Sequence, residues 1–245
     1  MKKLNAKGRS CLIIGDTHIP YHHKDAWAWL KAIKKKYLNK KSLILHIGDE
    51  CDYNKFSFHK PYDPDIPYSP GSELQACIDE IHKKGGLYDL FPKMYLCDSN
   101  HGSLIFRRAR HGELPLHVIK SYVDILGVKG WEWHEDFLLD TKKGPVYVHH
   151  GRSNNIGKVV ASSQSSCIAG HYHGLHKIEW FRGISSNRFG IQTGCLVNSG
   201  SRAFDYGRLS TTKPIIGSAL LKGCGTPILL TMNLDKNNRW DGTIS

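Results

Sequence analysis

The chain has 245 residues, 40% of them hydrophobic, and no linker-like stretch divides it, so one domain over 1–245 with a sizeable core is expected. No apolar run approaches the roughly 20 residues that span a bilayer, and the basic start leads into an apolar run too short for a signal-peptide core; no membrane partner and a cytoplasmic location are expected. The formal charge of +12, from 34 Lys and Arg against 22 Asp and Glu, points to an anionic partner, although such charge also serves solubility.

In chain order, the first apolar run, Cys11–Ile14, reads as a buried strand and ends in Asp16-Thr17-His18. Ala26, Trp27, Leu30, Ile33 and Tyr37, with lysines between them, predict an amphipathic helix over 25–38. A second strand, 43–47, runs into Gly48-Asp49-Glu50-Cys51-Asp52. The stretch 53–71 is rich in aromatics and prolines, too broken for regular structure and too apolar for an idle linker, and is expected to form an ordered loop over the site. A helix over 72–84 is predicted, capped by Ser72 and stopped at Gly85-Gly86. The strand Met94–Cys97 then leads to Ser99-Asn100-His101.

Residues 103–126 read as two helical pieces broken near Gly112 and Pro115, the first carrying Arg107, Arg108 and Arg110. Beyond Trp131 short strands follow, among them 136–140 and 145–149 around Lys142-Lys143-Gly144. The runs 146–148 and 167–169 end in His149-His150-Gly151 and Gly170-His171-Tyr172-His173. Helical crossovers first and strands later predict an α/β fold, a four-layer α/β/β/α sandwich with two facing mixed sheets and a site along one rim.

A lone Asp-x-His is a weak signal that chance supplies often. Here five polar stretches each follow an apolar strand, which chance does not readily repeat. Asp16-x-His18 and His171-x-His173 each place two side chains on one side of an extended backbone. Oxygen and nitrogen donors without thiolate suit Mn²⁺, Fe, Zn²⁺ or Ni²⁺, with Mn²⁺ favoured as the ion tried first. Alternation along a strand means that His149 and His150 cannot both face the same ions. The seven cysteines, at 11, 51, 77, 97, 167, 195 and 224, form no C-x-x-C pair and argue against a disulfide framework; most are expected reduced and buried.

The ordered set Asp16-x-His18, Gly48-Asp49-x-x-Asp52, Asn100-His101, His150-Gly151 and Gly170-His171-x-His173 resembles the calcineurin-like metallophosphoesterase superfamily. The resemblance implies two divalent ions. Asp16, His18 and His173 would bind the first, Asn100, His150 and His171 the second, and Asp49 would bridge both. It further implies that His101 sits near the scissile phosphate, stabilising charge or protonating the leaving oxygen, with Asp52 orienting His101 or the ligands. His150 is preferred over His149 because the family's ligand precedes glycine. Two positions depart from the pattern: Ser99 stands where the family usually has Gly, and Gly102 where it has Asp or Glu, which removes a partner of His101.

The implied activity is hydrolysis of a phosphoester by a metal-activated water. Basic charge, the aromatic loop and the arginines favour a phosphodiesterase or nuclease acting on DNA, RNA or nucleotides, with Arg107, Arg108 and Arg152 as substrate contacts. The alternatives are a phosphomonoesterase for small phosphates, a protein phosphatase, or a silent binding module. The protein-phosphatase branch is resembled least, because Tyr53-Asn54 and Gly102 replace its Arg-Gly and Glu. No G-x-x-x-x-G-K-[ST] is present, which excludes a P-loop NTPase.

Overall fold

The computed structural model describes residues 1–58, 68–184, 186–198, 200–201 and 211–244. One six-stranded sheet runs in the order β12 (Pro227–Thr231), β11 (Gly217–Leu221), β2 (Cys11–Ile14), β3 (Leu43–His46), β4 (Met94–Cys97) and β5 (Trp131–His134). Its strands β2 to β5 are parallel, and β11 and β12 continue it antiparallel. The second sheet runs β1 (Lys2–Asn5), β6 (Asp136–Thr141), β7 (Gly144–His149), β8 (Ser166–Ala169), β10 (Asn187–Thr193) and β9 (His176–Arg182). Within it β7, β8 and β10 are mutually parallel, whereas β9 pairs antiparallel at the edge.

The two-residue period of a strand explains how the sheets stack. Cys11 and Ile13 of β2 face an apolar layer shared with Phe137, Leu139, Val148 and Ile168 of the opposite sheet. Their neighbours Leu12 and Ile14 point the other way, onto Trp29, Leu30 and Ile33 of helix α1 (Ala26–Tyr37) and Ile81 of α2 (Pro70–His82). On the far side, Cys167 and Ala169 of β8 lie under Ile156, Val159 and Val160 of a later helix, Ile156–Ser163. Helix, sheet, sheet, helix is the four-layer order expected from the sequence. Both faces of β2 are covered, so its four residues are all buried and read as a continuous apolar run.

Several boundaries differ from the sequence reading for identifiable reasons. Helix α2 begins at Pro70, and its cap is Ser69, which accepts from the Ser72 amide at 3.2 Å while Ser72 Oγ accepts from the Ser69 amide at 2.8 Å. Ser72 is the reciprocal partner of the cap and not the cap itself. The α2 helix is followed by a one-turn helix α3 (Leu87–Leu90), and the expected pair over 103–126 is α4 (Leu104–His111) and α5 (Tyr122–Leu126), which makes Ile156–Ser163 α6. Strand β1 lies at a sheet edge with alternate residues exposed and is too short and too charged to show in the sequence. Of the expected aromatic loop, residues 59–67 lie outside the described residues; its start forms a single 3-10 turn, Asn54–Phe56, and Pro70 and Gly71 belong to α2. No helix among the described residues is long and apolar enough to cross a membrane.

The cysteine reading needs one correction: Cys51 and Cys77 are joined in a disulfide, with Cα atoms 6.5 Å apart, while Cys11, Cys97, Cys167, Cys195 and Cys224 are free. The pair is 26 residues apart and meets only because α2 packs over the loop after β3, a contact that no spacing motif announces. Closing a loop of that length is worth about 3 kcal/mol in chain entropy. Reductant, or Cys77→Ala, is therefore expected to lower the unfolding free energy by about that amount. Equilibrium denaturation with and without reductant measures it; an unchanged midpoint would mean that the thiols are not linked.

Candidate metal centre

The parallel strands β2, β3 and β4 send their C-terminal ends to one rim, and β7 and β8 bring theirs to the same place from the other sheet. The loops that follow carry the polar stretches singled out in the sequence. Asp16, His18 and His173 offer ligand atoms all within 4.8 Å of one another, and so do Asp49, His150 and His171. A third overlapping group, His18, Asp49 and His101, ties the two together. Asn100 joins the second group through Oδ1, 2.7 Å from His150 Nε2. All seven residues expected to hold ions are thus brought to one locus. His149 is not: its ring is buried beside Tyr147, and neither nitrogen has a hydrogen-bond partner among the described residues.

The loops reach these positions through unusual backbone. His18, Asp49 and His171 have φ of 47°, 49° and 69°, left-handed values that cost a non-glycine residue about 1 kcal/mol or more each. The left-handed residues are thus gathered on three of the converging loops. Gly48 precedes Asp49 with φ of 114°, and a Cβ there would lie 2.7 Å from His150 Nδ1. A Cβ at Gly170 would lie 2.5 Å from Asp16 Oδ1. Glycine at both places lets the two sheets' loops approach.

Hydrogen bonds fix which nitrogen each histidine turns inward. His18 Nδ1 donates to Asp52 Oδ1 at 2.6 Å, leaving Nε2 beside His173 Nε2 at 3.1 Å and Asp49 Oδ2 at 3.6 Å. His150 Nδ1 donates to the Ile47 carbonyl at 3.1 Å, and its Nε2 stands 3.2 Å from Asp49 Oδ2. An outward Nδ1–H paired with an inward Nε2 is how metal-binding imidazoles are held. Asp16 Oδ2 lies 3.2 Å from His173 Nε2 and accepts the His171 amide at 2.8 Å, whereas its buried Oδ1 accepts no hydrogen bond among the described residues. A buried carboxylate oxygen without a donor, among inward imidazole nitrogens, fits a divalent cation bound by nitrogen and oxygen.

The charges support the same fit. Burial would push the Asp49 carboxyl up, but the His150, His101 and His18 imidazoles outweigh it and hold Asp49 well below the usual carboxylate range. Burial pulls the His150 imidazole down, yet Asp49 and Asp16 push it up to about 9. Two buried anionic carboxylates demand positive charge, which protons on histidine or bound cations can supply.

His101 packs edge-on against the His18 ring, 4.7 Å away, and its amide donates to Asp49 Oδ1 at 3.0 Å. Its Nδ1 meets the Asp52 carbonyl, with Asp52 Oδ1 3.4 Å off, so Asp52 contacts both His18 and His101. The sequence reading missed the support beneath. The Gly48 amide donates to His46 Nδ1, His46 Nε2 donates to Thr17 Oγ1, and Thr17 donates to the Glu50 carbonyl, a relay that clamps the first two loops together. Burial lowers His46 to about 4, which keeps it neutral as the relay requires. Glu73 of α2, also missed, accepts from Tyr21, Asn54 and Lys55 and fastens the chain after Asp52. Only its place in the first turn of a helix hinted at a role.

The arginines separate. Arg152 lines a cavity of about 310 Å³ with Asn100, His150, Gly151 and His171, its guanidinium bonded to Glu135, Asp136 and Tyr147. Arg108 donates to the Phe56 and Ser57 carbonyls and stacks over Phe58, which ties it to the loop after the second polar stretch. Arg107 faces a neighbouring cavity.

Mn²⁺ at a hundredfold excess over its dissociation constant is expected to stabilise the fold by about 2.7 kcal/mol. Asp49→Asn is expected to abolish that gain. Thermal unfolding of both chains in Mn²⁺ and in chelator reads the difference, and an equal rise in the variant would place the ions elsewhere.

No protein-family model and no curated protein matches the chain. Among solved structures it is similar in fold to vacuolar protein sorting 29 from Cryptosporidium parvum, at TM-score 0.47 and 14% identity over 97% of this chain and 94% of that one. It is similar also to an archaeal phosphodiesterase, at TM-score 0.47 and 12% identity over 91% of this chain and 99% of that one.

Proposed function

We propose that the chain is a metal-dependent phosphoester hydrolase, and that its substrates are phosphodiesters of nucleotides or nucleic acid. The observation that carries this reading is the convergence of Asp16, His18 and His173 with Asp49, His150 and His171 around one buried carboxylate, Asp49. In this reading the first three residues hold one ion, Asn100, His150 and His171 hold a second, and Asp49 serves both. A divalent pair so bound supplies Lewis acidity toward a phosphoryl oxygen and lowers the pKa of water.

The remaining work falls to the protein. Asp52 keeps His18 in the tautomer that turns Nε2 inward, and its carbonyl holds His101 Nδ1. His101 is thereby oriented to present Nε2 to the leaving oxygen and to pass it a proton. Ser99 replaces the usual glycine without disturbing the turn, because its Oγ accepts the Gly102 amide at 3.1 Å. Arg152 lines the cavity beside Asn100 and His150, where its guanidinium can donate to a phosphoryl oxygen.

Two measurements test the reading. With Mn²⁺, bis(p-nitrophenyl) phosphate is expected to be hydrolysed in preference to p-nitrophenyl phosphate, and Asp49→Asn to lose more than about a hundredfold in kcat/KM; a clear monoester preference would replace the diester assignment. His101→Asn is expected to lower kcat about a hundredfold for an ester with an alkoxide leaving group and far less for p-nitrophenolate, which needs no protonation. Equal losses on both esters would remove His101 from the proton-donor role.

A further inference from the structure

A cavity of about 270 Å³ opens beside the one at the metal centre and shares Asp98 and Ser99 with it. Phe106, Arg107, Arg110, Tyr122 and Trp133 supply the large side chains of its wall. Tyr122 and Trp133 are fastened by their polar ends: the Tyr122 hydroxyl donates to the Gly102 carbonyl, and Trp133 Nε1 donates to Glu50 Oε1 at 3.3 Å. Phe106 meets Tyr122 edge-on at 4.9 Å, and Tyr122 lies 5.4 Å from Trp133. Rings fixed in this way lose little freedom when a planar group stacks on them.

Gly102 is part of the design. A Cβ there would lie 3.0 Å from Ser99 Oγ and 3.7 Å from the Tyr122 hydroxyl, so a longer residue would crowd the two lining side chains. The departure from the expected third stretch thus keeps a carboxylate out of this part of the wall. Two guanidinium groups add donors for ring carbonyls and phosphate oxygens. The Asp98 carboxylate, which lines both cavities, can accept from an amino or hydroxyl group. Aromatic walls with donors and an acceptor at the edge suit a heterocycle better than a plain hydrocarbon ring.

We propose that this cavity is the subsite for a nucleobase, so that the phosphoester held beside Asn100, His150 and His171 is one carried by a nucleoside. The inference rests on the phosphoester reading above. Calorimetric titration of the Mn²⁺-loaded chain with adenosine 5′-monophosphate, ribose 5-phosphate and inorganic phosphate tests it without turnover. The nucleotide is expected to bind about tenfold more tightly than ribose 5-phosphate. Phe106→Leu, which retains packing volume and removes the ring, is expected to bring that ratio near one, whereas Phe106→Tyr retains it.

Equal binding of nucleotide and sugar phosphate by the unaltered chain would overturn the subsite and leave the phosphoester reading standing. Failure of all three ligands to bind would overturn both. A ratio unchanged in Phe106→Leu and in Phe106→Ala would also overturn the subsite. A 5′-phosphorylated dinucleotide titrated in parallel separates the sources: tighter binding than the mononucleotide assigns a nucleic-acid end, weaker binding a free nucleotide, and either result supports the subsite.

Discussion

Everything at the rim is arranged around one costly fact, the ionised carboxylate of Asp49 in a buried position. A lone charge there would be untenable in a low-dielectric setting. The protein answers with His18, His101 and His150 around it, with the His101 amide on Oδ1, and with a left-handed backbone that aims the carboxylate at them. Each of these answers constrains another part of the chain. Gly48 must lack a side chain to let His150 approach, His46 must stay neutral to hold Thr17, and α2 must lie where Glu73 can hold the exit of the loop.

Much of this was legible in the sequence because strands buried on both faces write themselves as uninterrupted apolar runs. Cys11–Ile14 and Met94–Cys97 are such runs, and the polar residues after them stand out by contrast. Alternation allows only one of His149 and His150 to face the ions, and the resemblance pointed to His150, which precedes glycine; in the structure His150 joins the cluster and His149 is in none of its groups. What the sequence could not show were contacts between segments with no shared pattern. The disulfide between Cys51 and Cys77, the relay through His46 and Thr17, and the grip of Glu73 each join elements whose meeting is decided by how α2 and β3 pack. Edge strand β1 was hidden for a different reason: lysines on a half-exposed ribbon carry no hydrophobic signature.

The third polar stretch shows how a departure from an expected pattern can be absorbed. Ser99 bonds the Gly102 amide, and Tyr122 bonds the Gly102 carbonyl, so both backbone groups of that residue are satisfied by side chains. The turn is held from the side where a longer residue would otherwise have stood, and Tyr122 comes from α5, twenty residues further on. Asp52, through its carbonyl and its carboxylate, stands beside His101 in place of the missing acid.

Asp16, His18, Asp49 and Asn100 extend from one sheet, whereas His150, His171 and His173 extend from the other. A cation seated among them would span the seam where the layers meet. It would act as a clasp on the open edge of a book whose spine is the apolar layer between the pages. Stripped of that clasp, the covers would gape first at this margin, leaving the binding intact.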